Sequence, residues 1–319
     1  MPKSTLSNPR GVRGAASLCA VAALAYLFVQ DLLTIFVSAL MGMRVQGASL
    51  SDPVGFSVAA QGLLGIVVAA GSIVLPLWWL LRATRLQTPD LRILLPAPWS
   101  PAFCLVVFLG LANAGNLFGG LLARGLGVTT SSTALPAGGL DLFIRYFSLC
   151  AVPAVLEEIY FRGALQGIMR PSGSSVAIFA PALLFALLHL DLAQSITALV
   201  CGIFLGWLVE RSGSILPGML LHFINNTLAF LSLYLRQYAP EQLAVVYELI
   251  LLVALPLAAL FLVWRVKVQG FSFSAGLRGG MEPLAVFTSL PYTVCVLFLM
   301  GLTVYLYLSL IHISEPTRR

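Results

Sequence analysis

The sequence predicts an all-α, polytopic integral membrane protein with about eight or nine transmembrane helices. Three observations lead to this prediction: 59% of the 319 residues are hydrophobic, only 9% are charged, and the mean hydropathy is +0.97. A soluble domain carries about 25% charged residues, because its surface must be hydrated. The 18 Lys and Arg and 12 Asp and Glu residues are too few to cover a protein of 34.1 kDa, which excludes a soluble enzyme.

Apolar stretches long enough to cross a bilayer recur along the whole chain. A spanning helix needs about 20 mostly apolar residues, because the hydrocarbon core is about 30 Å thick and a helix rises about 1.5 Å per residue. The fifth and sixth of these stretches are separated only by residues 190–193. The stretches that meet the criterion are 15–40, 54–81, 101–123, 141–168, 174–192, 193–209, 214–235, 243–264 and 284–310.

The first and last stretches need separate interpretation. Arg10 and Arg13 precede the first apolar run, as they would in a signal peptide. That run is too long, however, and no small-residue cleavage site ends it cleanly, so we expect a retained span. The final residues, 311–319, break an apolar helix without a cap and resemble translated sequencing-adapter sequence. We therefore expect a non-native tail there and assign no chemistry to His312.

The basic residues lie in short loops between the apolar runs, and their distribution predicts the orientation of the protein. Loops on the N-terminal side of the membrane carry eleven Lys and Arg residues, against three on the opposite side, or five with the tail. Because positive loops remain in the cytoplasm, the N-terminus should be cytoplasmic. The net charge of +6 therefore reflects membrane orientation, and no nucleic-acid partner is expected.

The fourth stretch contains ionisable residues, which are costly inside a membrane and therefore mark candidate functional sites. Glu157, Glu158 and Arg162 lie well away from both of its ends. On a helix, Glu158 and Arg162 are one turn apart and can form an ion pair, whereas Glu157 is rotated by about 100°. One carboxylate could thus be held by Arg162 while its neighbour faces a polar cavity. The alternative is a structural ion pair beside a buried, protonated glutamate.

Two further stretches carry the only histidines outside the tail, His189 and His222, and both are predicted to lie within spans. His222 and Asn226 are one helical turn apart and project toward one site, whereas Asn225 is expected to face elsewhere. Counting the helix rise from the cytoplasmic ends places these side chains and Glu157 about 16–22 Å deep. A lone histidine in an apolar helix is usually structural, but this common depth favours one shared site.

A carboxylate, two imidazoles and an amide in a water-accessible pocket suit hydrolysis. Glu157 could take a proton from water. His189 and His222 could bind a metal such as zinc that activates the water, or they could stabilise the oxyanion directly. Asn226 could donate a hydrogen bond to the same developing charge. The sequence contains neither the H-E-x-x-H helix of zincins nor the G-x-S-x-G elbow of serine hydrolases.

Taken together, these residues resemble three motifs of a known family. The family is that of the CAAX-protease and bacteriocin-processing proteins (CPBP, also called Abi), which includes the type II CAAX prenyl endopeptidases. The resemblance covers about residues 141–235. The motifs that carry it, in this order on successive stretches, are Glu157-Glu158-x-x-x-Arg162, Phe185-x-x-x-His189 and His222-x-x-x-Asn226.

The resemblance implies an intramembrane endopeptidase of the prokaryotic cytoplasmic membrane, acting on a peptide or membrane-protein substrate among membrane lipids. It implies that Glu157 is the catalytic base and that Glu158 and Arg162 shape the site. Whether such enzymes use a divalent metal such as zinc or a water activated directly by glutamate is left open by the sequence. The residues implied to bind the metal or to stabilise the oxyanion are His189, His222 and Asn226.

The resemblance also divides the chain. N-terminal transmembrane helices (1–140) precede a CPBP-like catalytic core (141–235), and C-terminal transmembrane helices (236–310) and the tail (311–319) follow it. Two alternatives are a proton-coupled transporter, which also places Glu, Arg and His at mid-membrane, and a non-catalytic scaffold or immunity protein. A transporter predicts internal repeats or matching broken helices, which the sequence does not display. A scaffold would keep the polar residues only for packing.

Overall fold

The computed structural model describes residues 9–40, 44–46, 49–51, 58–84, 86, 88–127, 134–274 and 277–314. Within these residues, eight helices are long and apolar enough to cross a membrane. The predicted all-α, polytopic membrane protein is therefore confirmed. Residues 315–319 of the expected tail lie outside the described part of the chain.

The helices follow one another with short connections. A small antiparallel hairpin, β1 (Arg44–Gln46) and β2 (Ser49–Ser51), lies between the first two. Short 3-10 helices occur at Thr88–Leu91 and Pro283–Thr288. The main helices are α1 (Pro9–Leu40), α2 (Val58–Thr84), α3 (Pro101–Gly125), α4 (Gly139–Ser172), α5 (Ser174–Leu187), α6 (Leu192–Ser212), α7 (Leu216–Tyr238), α8 (Glu241–Val268) and α9 (Leu290–Ser314).

The fifth predicted span, 174–192, is wrong in length. Helix α5 has 14 residues, and a helix of that length is about 21 Å long, too short for a hydrocarbon core of about 30 Å. Ser174 at its start donates a hydrogen bond to Glu210 near the end of α6, at 3.2 Å between Oγ and Oε2. Helices α5 and α6 therefore form a hairpin that begins and ends on the same side of the membrane.

His189 accordingly lies in the turn of this hairpin and not within a span as predicted. Asp191 accepts a hydrogen bond from the backbone N–H of Gln194 at 2.7 Å, and Leu190 adopts a left-handed φ of 52°. An aspartate N-cap begins a new helix, so the apolar run is interrupted here. Because the hairpin returns to its starting side, the predicted orientation of the other helices is unaffected, and the cytoplasmic N-terminus stays a prediction.

Helix α4 is continuous over 34 residues but changes its backbone hydrogen bonding along its length. It contains two π-helical stretches, Phe147–Ala151 and Glu158–Leu165. Single π-helical turns are rare and frequently occur at functional sites. The second stretch begins at Glu158 and includes Arg162, so the glutamate–arginine motif of the sequence lies on it.

Close helix packing surrounds this motif. The hydroxyl of Tyr160 on α4 donates to the carbonyl of Ala22 on α1 at 2.8 Å, because a buried hydroxyl needs a polar partner. Helices α3 and α6 meet at Gly119, where an added Cβ would lie 2.6 Å from the carbonyl oxygen of Ala193. Small residues allow this approach of two helices inside a membrane. Helices α1, α2, α5, α6 and α7 pack against α4.

Candidate active site

Glu158 and Arg162 form the ion pair that their spacing predicts. Arg162 Nη1 lies 2.9 Å from Glu158 Oε1, and the two side chains are 2% and 0% exposed. The guanidinium also lies over the ring of Phe185 on α5, with its central carbon 4.4 Å from the ring centroid. A charge buried this deeply is tolerated only when it is paired. Arg162 is therefore already neutralised within the protein and is not exposed to the cavity described below.

Two glycines on neighbouring helices make room for this ion pair. An added Cβ would lie 3.1 Å from Glu158 Oε2 at Gly218 on α7, and 3.3 Å from Arg162 Nη2 at Gly202 on α6. Both distances are shorter than ordinary van der Waals contact, so a side chain at either position would push on the pair. The glycines therefore help to set where Glu158 and Arg162 lie.

Replacing Gly218 by Ala should lower activity about tenfold while the protein remains folded, because small displacements near a reacting centre cost orders of magnitude in rate. The added methyl group would displace Glu158, and the site residues bonded to it would move as well. Gly120→Ala on α3 is the matched control, since an added Cβ there meets nothing within 4 Å. Equal activity of the two purified variants would contradict the prediction.

His222 on α7 contacts both glutamates. Its Nδ1 lies 3.0 Å from Glu158 Oε1 and donates to it, because an ionised carboxylate can only accept. Its Nε2 lies 3.8 Å from Glu157 Oε2, which is too far for a direct hydrogen bond but close enough for one water to contact both atoms. Glu158 thus fixes the orientation of the imidazole and turns Nε2 toward Glu157.

His189 is held in a similar way at the turn after α5. Its Nδ1 donates to the carbonyl oxygen of Phe185 at 2.8 Å, which leaves Nε2 as the second polar atom of the ring. The imidazole packs edge-on against the Phe185 ring, with 4.8 Å between centroids. Phe185, which the sequence singled out only as part of a motif, therefore contacts both His189 and Arg162.

A cavity of about 400 Å³ brings four of the predicted site residues together: Glu157, His189, His222 and Asn226 all line it. Glu158 and Arg162 are buried behind this group. Asn225 also lines the cavity, so the prediction that it faces elsewhere is wrong. Adjacent residues on a helix differ by about 100°, and the cavity is wide enough for both amides to reach it.

Sequence reasoning missed three polar residues of the same cavity, Asn116 on α3 and Gln194 and Thr197 on α6. Thr197 Oγ1 donates to Asn116 Oδ1 at 2.9 Å across the interface of these helices. The search along the sequence selected ionisable residues within spans, and neutral amides and hydroxyls do not meet that criterion. A search for amide side chains in apolar runs would have found Asn116.

A second buried cluster, also missed, lies where α4 and α6 end. Glu210 accepts hydrogen bonds from Arg170 Nε at 2.9 Å and from Gln166 Nε2 at 3.0 Å, and it pairs with Arg92 Nη1 at 3.4 Å. Burial, together with the positive charge of Arg170, lowers the pKa of Arg92, while Glu210 opposes this shift. Because Glu210 is at least 40 residues away from each of these partners, local spacing does not predict this cluster, which ties a loop segment to the helix ends.

The candidate metal ligands, His189 and His222, supply fewer donors than a catalytic zinc site requires. Catalytic zinc sites have three protein ligands around the ion. Among the described residues, no three His, Cys, Asp or Glu side chains converge as such a group. The donor set around His189 and His222 therefore does not match a three-ligand site.

The fold and the site together define a polytopic membrane protein with a buried Glu–Arg–His network beside an intramembrane cavity. Residues 139–228 match the family model described as Type II CAAX prenyl endopeptidase Rce1-like. The match confirms the family resemblance predicted from the three motifs, and all six predicted site residues lie within it. No curated protein and no solved structure matches the chain significantly. The similarity to this family therefore covers residues 139–228 of the chain.

Proposed function

We propose that the protein is an intramembrane endopeptidase that hydrolyses a peptide bond of a peptide or membrane-protein substrate. The observation that carries this proposal is the position of Glu157. Its carboxylate is 19% exposed, lines the cavity, and lies beside the ring of His222, which Glu158 holds in place. A partly exposed carboxylate next to an oriented imidazole is the arrangement that general-base hydrolysis requires.

The first step is the attack of water on the substrate carbonyl. One water in contact with Glu157 Oε2 and His222 Nε2 is held between these atoms, which lie 3.8 Å apart. As the water oxygen bonds to the carbonyl carbon, its proton passes to Glu157 and the carbonyl oxygen becomes an oxyanion. When the C–N bond breaks, Glu157 returns the proton to the leaving nitrogen, as a base that becomes an acid.

The oxyanion is stabilised by donors from α7 and from the hairpin turn. Asn226 lines the cavity and can donate from its amide at any pH. His222 and His189 can donate only from a protonated Nε2, because Glu158 and the Phe185 carbonyl already bind their Nδ1 atoms. Loss of one such donor typically lowers kcat by about 10²–10³-fold.

The proposed reaction uses water activated by Glu157 without a metal. A zinc ion at the histidines would supply an activated water, but Glu157, or Asn226 through its carbonyl oxygen, would then be needed as a third ligand. A metal-bound Glu157 could not act freely as the base. We expect the purified protein to keep its activity after treatment with a chelator. His189→Ala and His222→Ala should each lower kcat by about 10²-fold or more.

The zinc content of the same preparations tests the metal-free mechanism. Stoichiometric zinc that disappears in His222→Ala, together with activity lost to a chelator and restored by zinc, would overturn the metal-free mechanism. Asn113→Ala on α3 serves as the control. Asn113 donates only to the Leu109 carbonyl of its own helix, at 2.8 Å, and its variant should keep its activity.

The proposed function is tested by proteomics of peptide termini. Membranes from cells that express the wild type should contain new termini that are absent from cells expressing Glu157→Gln at the same level. These termini would identify both the substrate and the scissile bond. Identical sets of termini in the two strains, with a phenotype that both proteins support, would instead favour a non-catalytic role.

A further inference from the structure

A second cavity, of about 190 Å³, lies on another side of Glu157. Glu157, Phe185 and His189 line both this small cavity and the larger one. Glu157 therefore stands between two cavities and not at the end of one. The residues that line the small cavity are Tyr26, Gln30, Glu157, Phe161, Phe185, Leu188 and His189.

The polar wall of the small cavity comes from α1, which lies outside the matched residues 139–228. Tyr26 and Gln30 are one helical turn apart and so project from the same face of α1. Both side chains are half-buried, and no hydrogen bond joins either one to another described residue. Polar groups inside a membrane protein need partners, and in a cavity of this kind water is the partner that fits.

The size of the small cavity agrees with this interpretation. At the density of liquid water, 190 Å³ holds about six molecules, and each water needs two to four polar partners. The hydroxyl of Tyr26, the amide of Gln30 and the carboxylate of Glu157 provide such partners. The rest of the lining is formed by Phe161, Phe185, Leu188 and His189.

The water in the larger cavity cannot stay in place when a substrate binds. A peptide bound across the 400 Å³ cavity displaces the water there, so the water that attacks has to reach Glu157 from another direction. The small cavity opens onto the same carboxylate and lies on the side of α1. It can therefore remain filled with water while the substrate is bound.

We infer that the small cavity holds the water that hydrolysis consumes, and that Tyr26 and Gln30 are positioning residues for this water. The inference rests on the proposed function, because it assigns the source of the nucleophile in that reaction. Tyr26 and Gln30 exchange hydrogen bonds with water and neither gain nor lose a proton overall. Glu157 remains the group that takes the proton from the attacking molecule.

The test replaces the amide of Gln30 by an apolar group of similar length. Gln30→Met should lower kcat about tenfold and leave KM within about twofold, because water would be poorly placed while the substrate site is intact. Gln30→Asn, which keeps an amide, should recover part of the loss, and Tyr26→Phe should lower kcat to a smaller extent. An apolar substitution within a spanning helix favours membrane insertion.

Thr34→Val on the same helix is the matched control. Thr34 Oγ1 donates only to the carbonyl oxygen of Gln30 within α1, at 2.7 Å, so this variant removes a polar group of α1 without altering the cavity lining. Its kcat and KM should equal those of the wild type. A loss of kcat in Thr34→Val as large as that in Gln30→Met would mean that α1 acts only through its structure, and it would overturn the inference.

Parallel measurement of Glu157→Gln distinguishes a failure of the inference about water from a failure of the proposed function. If Glu157→Gln is inactive and Gln30→Met has the kcat of the wild type, the inference about water is overturned while the proposed function stands. If Gln30→Met raises KM and leaves kcat unchanged, Gln30 belongs to the substrate site and the inference is likewise overturned. If Glu157→Gln cleaves at the rate of the wild type, the proposed function itself fails.

Discussion

Glu157→Gln should abolish peptide hydrolysis and leave a folded, membrane-inserted protein. The amide has the shape of the carboxylate and occupies the same partly exposed place beside His222, but it cannot accept the proton of the attacking water. General-base catalysis contributes about 10²–10⁴-fold to a rate, so we expect kcat to fall by this factor. The measurement is the single-turnover rate of the purified variant on a substrate identified from new peptide termini.

The control is Glu248→Gln, which makes the same change from a carboxylate to an amide outside the candidate site. Glu248 pairs with Arg236 at the far end of α7 and is 25% exposed, and it does not line either cavity beside Glu157. This variant should retain the activity and the thermal stability of the wild type. Cleavage by Glu157→Gln at the rate of Glu248→Gln would show that another group activates the water.

Arg162→Met should destabilise the protein and abolish activity together. The substitution leaves the carboxylate of Glu158 unpaired at a site where it is 0% exposed. Removing one partner of a buried ion pair typically costs about 3–5 kcal/mol, because the remaining charge stays desolvated. Activity should be lost as well, since Glu158 also holds Nδ1 of His222. Thermal unfolding in detergent and the cleavage rate measure the two effects.

Two further variants show whether the burial of the pair is the cause. Arg236→Met breaks an ion pair whose side chains are 59% and 25% exposed, and exposed pairs contribute only about 0–1 kcal/mol. In the double variant Glu158→Gln with Arg162→Met, the unpaired charge is gone, so stability should recover in part while activity does not. Arg162→Met with the stability and activity of the wild type would contradict the role of the pair.

The local pattern of the sequence was sufficient for most properties that depend on spacing within one helix, although the position of Asn225 was predicted wrongly. The apolar runs predicted a polytopic helical membrane protein because only helices of this length can satisfy their backbone groups in lipid. The four-residue interval predicted the pairing of Glu158 with Arg162, and their distance of 2.9 Å agrees with it. The three motifs predicted the family that residues 139–228 match.

The local sequence pattern did not predict the hairpin of α5 and α6. The apolar run 174–192 has 19 residues, so it meets the hydropathy criterion for a span. That criterion does not register where the helix within the run ends. The N-cap at Asp191 and the left-handed Leu190 end the helix early. A hydropathy criterion does not take into account whether Asp191 caps a new helix. His189 consequently lies in the turn between α5 and α6.

What the sequence by itself determined was the membrane class and the residue types of the site, since these follow from composition and helical periodicity. Only the tertiary structure decided which residues meet. His222 reaches Glu158 over 64 residues of chain, and Tyr26 and Gln30 reach the cavity beside Glu157 from a helix outside the matched domain. Such contacts depend on the packing of helices against one another, and periodicity within a single helix contains no information about its neighbours.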